Sequence, residues 1–189
     1  MQAFLVSLGA VTLAEIGDKT QLLALVLAAR FHAPWQIVAG IFLATILNHA
    51  LAAWAGVLLA GSLSDLILAW VLAISFMGMG LWMLVPDKHE GEPRSLSKFG
   101  PFLTTLIAFF LVEMGDKTQI ATVALAARFD DFLLVAVGTT AGMLVADAPV
   151  VFLGDVAAKR LPMKLIRSAA ASIFLALGAV ALLNALNFF

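Results

Sequence analysis

The chain has 189 residues, of which 63% are apolar and only 12% charged, with a net charge of −1 and no cysteine. Soluble domains run nearer half apolar and a quarter charged, so the composition excludes a water-soluble globule and indicates an all-α integral membrane protein. Near-neutral charge gives no reason to expect a nucleic-acid partner, and the missing cysteines remove disulfides, thiolate metal sites and cysteine nucleophiles.

A helix needs about 20 mostly apolar residues to cross the hydrocarbon core. Six segments meet that length: 4–29, 35–60, 66–85, 102–127, 132–153 and 166–186. Between them lie His32-Ala33-Pro34, the short polar break 61–65, and the polar stretch 86–101. Long continuous apolar runs are not the short alternating segments of a closed barrel, the other structure able to span lipid. The first segment has no Lys or Arg before Lys19 and carries Glu15 within its apolar run. It reads as a retained span rather than a secretory signal.

The sequence EIGDKTQ, Glu15 to Gln21, returns as EMGDKTQ, Glu113 to Gln119. Residues 15–31 align with 113–129 without a gap, and 11 of the 17 pairs are identical. The same offset pairs Gly40 with Gly138, Gly56 with Gly154, Phe76 with Phe174 and Gly80 with Gly178. The expected organisation is therefore six transmembrane helices as two three-helix repeats, 1–85 and 101–189, joined by a linker at 86–100. Three crossings per repeat is an odd number, so the repeats must be inverted in the membrane. Basic residues collect in cytoplasmic loops. Loops one, three and five hold Arg30, Lys88, Arg94, Lys98, Lys159, Arg160, Lys164 and Arg167, whereas the opposite side holds only Arg128. Both termini are expected outside the cytoplasm and the linker inside it. Inverted repeats place substrate sites near the midplane, between the halves.

Intramembrane carboxylates are costly and mark ion, proton or substrate paths. On a continuous helix Glu15 and Asp18 share a face, as do Glu113 and Asp116, and the inverted repeat brings both pairs to one depth. The expected result is an oxygen cage, with Thr20, Gln21, Thr118 and Gln119 as accessory oxygens. Gly17 and Gly115 weaken the helix at that point, which could free backbone carbonyls as further ligands. A carboxylate-rich site without sulfur favours Mg, Ca or Mn over Zn or Cu. Lys19 lies i+4 from Glu15, and Lys117 from Glu113, so each lysine can neutralise a carboxylate. It either offsets burial of the acids or swings away when metal binds. Four acids against two lysines leave −2, the match for one divalent cation.

Asn48, His49 and Asp147 also lie deep in the apolar runs, and the repeat offset pairs His49 with Asp147. Asn48 and His49 read first as interhelical hydrogen-bonding groups, with Asn48 a possible accessory ligand and His49 a possible proton-coupling group. Asp147 reads as functional, completing the ion site or relaying a proton. Asp155 sits nearer the cytoplasmic end, in reach of water or Lys159. Met77, Met79 and Met83 lack Cys or His partners and read as packing rather than a soft-metal track.

The duplicated motif resembles the Glu-x-Gly-Asp-Lys/Arg-Thr/Ser signature of the calcium:cation antiporter-2 family, which includes bacterial manganese exporters and Golgi manganese/calcium transporters. The resemblance covers the whole chain. It implies exchange of a divalent cation, mainly Mn2+ and in some members Ca2+, against protons or another ion. By the same resemblance Glu15, Asp18, Glu113 and Asp116 bind the cation, and Lys19, Thr20, Lys117 and Thr118 complete the signature. The compact chain, without an extended N-terminal targeting region, points to the bacterial branch and to manganese efflux across the inner membrane.

The expectation is thus a secondary transporter that carries Mn2+ as substrate between helices 1 and 4, with no permanent cofactor, the lipid bilayer as its surroundings and no assigned oligomeric state. A Ca2+/H+ exchanger with the same cage is the alternative. An intramembrane acid/base enzyme lacks a nucleophile constellation. A passive channel would conduct without saturating, and a purely structural protein would not need four duplicated midplane acids.

Overall fold

The computed structural model describes residues 1–85, 99–153 and 163–186. Asp155, Gly154, Lys88, Arg94, Lys98, Lys159, Arg160 and nearly all of the 86–100 linker lie outside the described residues. Eight helices account for almost all of what is described: α1 Gln2–Glu15, α2 Lys19–Phe31, α3 Pro34–Ser62, α4 Asp65–Met83, α5 Gly100–Glu113, α6 Lys117–Phe129, α7 Phe132–Leu153 and α8 Met163–Leu186. Four of them, α3, α4, α7 and α8, are long and apolar enough to cross a membrane; α1 and α5 are shorter apolar helices.

The sequence reading needs one correction here. Segments 4–29 and 102–127, each expected as one helix, are each two. The break falls at Ile16-Gly17 and at Met114-Gly115. Gly17 and Gly115 have φ of +80° and +81°, a region that costs an L-residue roughly 1–2 kcal/mol. Ile16 and Met114 before them are extended, with ψ of 113° and 115°. Two residues out of helical geometry are enough to end one helix and start the next. Glu15 and Asp18 therefore do not share a face of one helix. Glu15 closes α1 and Asp18 opens α2; Glu113 closes α5 and Asp116 opens α6.

The halves grip each other reciprocally. α3 lies on α5, and α7 lies on α1. A side chain on Gly40 would meet Phe102 O at 2.8 Å and Thr105 Cβ at 2.8 Å; one on Gly138 would meet Phe4 O at 2.7 Å and Ser7 Cβ at 3.1 Å. Phe4, Ser7 and Gly40 are the repeat counterparts of Phe102, Thr105 and Gly138. Only glycine permits that approach. Each half thus presents the same surface to the other, the contact pattern of two-fold related parts. α4 lies along α8 in the same way. There Phe76 packs on its own counterpart, Phe174, with ring centroids 6.4 Å apart.

The core is built largely of alanine with Phe76, Phe109, Phe174, Leu27, Ile37, Ile41 and Leu125 fully buried. Small residues let the helices approach closely, as in membrane bundles. Large apolar side chains such as Leu5, Trp54, Ile74, Leu133 and Leu183 face outward, an arrangement that suits hydrocarbon and not water. Met79 and Met83 are buried in the α4–α8 core and Met77 packs against α8, as expected of packing residues.

Candidate metal centre

Both broken helices close their gaps identically. The Asp18 N–H donates to Glu15 O at 3.0 Å, and the Asp116 N–H to Glu113 O at 3.1 Å. The Gly17 N–H donates to Gln21 Oε1 at 2.8 Å, and the Gly115 N–H to Gln119 Oε1 at 2.7 Å. The glutamines therefore fasten the turns. Gln21 also donates through Nε2 to Ala146 O at 2.8 Å, tying α2 to α7.

The threonines hold the glutamates. Thr20 Oγ1 donates to Glu15 Oε2 at 2.7 Å, and Thr118 Oγ1 to Glu113 Oε2 at 3.1 Å. Each bond fixes one carboxylate oxygen and leaves the other, Oε1, buried and without a hydrogen-bond partner. Buried polar atoms are almost always satisfied. A bound cation would satisfy these orphaned oxygens on the two matched glutamates.

Carboxylate oxygens of Glu15, Glu113 and Asp116 all lie within 4.8 Å of one another, and all three residues are buried. Three of the four acids expected to form a cage therefore lie close together. Asp18 stands outside the triad and lines a neighbouring cleft with Ala14, Gly17, Lys117 and Arg167. The two repeats thus contribute unequally, one residue from the first and two from the second.

The lysines also depart from expectation. Lys19 does not pair with Glu15 four residues back. Its Nζ lies 3.0 Å from Oδ1 of Asp116, in the opposite half. The broken turn separates Lys19 from Glu15, and the ion pair joins the start of α2 to the start of α6. Asp116 Oδ2 is buried without a hydrogen-bond partner. One oxygen thus holds Lys19 and the other is left over. Lys117 is buried; its Nζ lies 3.4 Å from Val85 O and 5.8 Å from the Trp82 ring centroid.

Of the remaining expected positions, Asn48 donates through Nδ2 to Phe110 O at 3.0 Å. This is the interhelical bond anticipated for it, joining α3 to α5 a turn before Glu113. His49 is fully buried, and among the described residues neither ring nitrogen has a hydrogen-bond partner. Asp147 is fully buried too, with both oxygens unpartnered. It follows Ala146, whose carbonyl accepts from Gln21, so α7 brings a further acid close to the first turn. Arg167, counted in the sequence only as a loop charge, lines the cleft beside Asp18. The signal was available, since the repeat counterpart of Arg167 is Ala69, in an apolar helix.

Comparison with known proteins agrees with this chemistry. The family model of the divalent cation/proton antiporter GDT1 matches in two stretches, residues 3–91 and 101–187. A candidate manganese exporter of Vibrio cholerae serotype O1 is 54% identical over 176 residues, covering 93% of this chain and 88% of its own. GDT1-like protein 5 of Arabidopsis thaliana is 31% identical, with 79% of this chain and 82% of its own covered. GDT1-like protein 4 of rice (Oryza sativa subsp. indica) is 28% identical, with 84% and 65% covered. No solved structure matches the chain. The chain is an integral membrane protein of the GDT1 family, the divalent cation/proton antiporters.

Proposed function

We propose that the protein exports Mn2+ from the cytoplasm in exchange for protons or another cation. The carrying observation is the buried triad of Glu15, Glu113 and Asp116, assembled from both repeats, with carboxylate oxygens close enough to share one ion. Oxygen donors without sulfur suit a hard divalent ion, and the similarity to a candidate manganese exporter supports Mn2+ among them.

The ion binds between the two broken helices. Thr20 and Thr118 keep the glutamates aimed, Gln21 and Gln119 keep the turns in shape, and Lys19 balances Asp116. Asp18 and Asp147 lie one step away on the path, with Asn48 beside the centre. His49 and Asp147 are the buried groups available for coupled proton movement, and carboxylate protonation after metal release completes the exchange.

The domain reading is two three-helix repeats, 1–85 and 101–189, around a linker at 86–100, each repeat crossing the membrane three times. α1 with α2, and α5 with α6, each supply a discontinuous span, as in other transporters built from broken helices. The reciprocal Gly40 and Gly138 contacts support a two-fold axis between the repeats, and an odd number of crossings puts that axis in the membrane plane. Rocking of one repeat against the other would then open the triad to each side in turn. The loop charges favour both termini outside the cytoplasm of a bacterial inner membrane.

Uptake of Mn2+ into inverted vesicles tests this reading, with Ca2+, Mg2+ and Zn2+ as competitors and a pH-sensitive dye inside. The expected result is saturable Mn2+ accumulation with coupled proton movement, lost in Glu15→Gln and in Asp116→Asn. Stronger competition by Ca2+ than transport of Mn2+ would reassign the substrate to calcium. No accumulation of any metal by folded wild-type protein would overturn the reading.

A further inference from the structure

The bundle carries two clefts at its opposite ends. One lies where α4 ends and α8 begins, and is lined by Asp18, Met83, Lys117, Arg167 and Ala170 among others. The second lies where α4 begins and α8 ends, and is lined by Asp65, Ala69, Leu72, Arg128, Ala181 and Asn184 among others. Three positions correspond under the repeat offset: Met83 with Ala181, Arg167 with Ala69, and Ala170 with Leu72. The clefts therefore overlap in part under the repeat, although the counterparts of Asp18 and Lys117, which are Asp116 and Lys19, do not line the second cleft.

They are not alike in charge. The first cleft holds one acid against two bases, whereas the charged residues of the second, Asp65 and Arg128, cancel. The difference at matched positions is Arg167 against Ala69. Arg167 is half-buried on the first turns of α8. Two matched halves by themselves would give a path with equal ends. Sidedness must come from departures from the repeat, and Arg167 gives the first cleft an excess of positive charge that Asp65 and Arg128 do not give the second.

We propose that Arg167 is a specificity-determining residue that weakens cation capture from the cleft it lines, the cytoplasmic mouth in the orientation proposed above. The inference rests on that transport reading and deepens it. A divalent ion entering beside Asp18 must pass the Arg167 guanidinium that lines the same cleft. Two such charges about 8 Å apart in a wet cleft repel enough to change affinity roughly tenfold. The effect is a threshold: the triad fills from this side only when the cation is abundant. Arg167 also restores the charge balance that Asp147 disturbs. Glu15, Asp18, Glu113, Asp116 and Asp147 are five acids against Lys19, Lys117 and Arg167, again −2 with every group ionised.

The test compares wild type, Arg167→Gln and Arg167→Lys in inverted vesicles and, by counterflow, in right-side-out vesicles, with Mn2+ alone as the probe. Arg167→Gln should lower KM from the cytoplasmic face roughly tenfold, with kcat within about twofold. KM from the opposite face should hold, and Arg167→Lys should behave as wild type. A merely structural role would shift both faces, or would make Lys as harmful as Gln; either result overturns the proposal, as does an unchanged cytoplasmic KM. Absence of transport by the wild type would overturn the function itself, and this inference with it.

Discussion

Gly115→Ala separates the backbone of the site from its side chains. Gly115 holds φ at +81°, and a Cβ built there meets nothing within 4 Å. The substitution therefore adds no clash, and its entire cost is conformational. Placing an L-residue in that region costs roughly 1–2 kcal/mol. For a chain of this size each kcal/mol moves Tm by about 2–4 °C, so the expected drop is about 2–8 °C in detergent. If the turn relaxes instead, Asp116 shifts relative to Glu113, and the same free energy appears as about five- to thirtyfold weaker metal binding. Thermal unfolding and Mn2+ titration of one preparation read both channels. Asparagine tolerates positive φ better than alanine, so Gly115→Asn should show the smaller effect. Wild-type Tm together with wild-type affinity in Gly115→Ala would refute the claim that this turn shapes the site.

The remaining predictions concern the triad, its counter-ion and the contact between halves. Thr118→Val removes the donor that orients Glu113, and should weaken Mn2+ binding by about tenfold or more with little change in fold, as read by titration of the purified protein. Lys19→Met leaves Asp116 buried without its partner at 3.0 Å, and should destabilise by roughly 2–4 kcal/mol, less than a fully enclosed pair because Lys19 is partly exposed. Lys19→Met with Asp116→Asn should recover at least about 1 kcal/mol of that loss, and a strictly additive cycle by thermal unfolding would exclude the pair. Gly40→Ala and Gly138→Ala each drive a Cβ against the backbone of the opposite half. Both should cost about 1–3 kcal/mol, and a large difference between them in unfolding would contradict the reciprocal packing.

Much of this protein was legible without coordinates. The apolar runs predict α3, α4, α7 and α8 to within a few residues, because an unbroken run of about 20 apolar residues has few alternatives to a spanning helix. The 98-residue offset between the EIGDKTQ and EMGDKTQ segments located the acids and matched every contact now seen twice: threonine to glutamate, glutamine to glycine, and glycine to the facing helix. Such local patterns survive because they depend on spacing along the chain. Tertiary structure decided what spacing cannot express. Gly17 and Gly115 were legible as weak points, but only a φ near +80° turned weak points into helix ends and separated Glu15 from Asp18. Lys19 had a carboxylate four residues away in sequence, yet its partner is Asp116, supplied by the opposite half. Arg167 looked like one loop charge among eight until α8 placed it in the cleft with Asp18. A repeat written in sequence fixes which residues are equivalent; which of the equivalent residues meet, and where the equivalence fails, depends on how the two halves pack.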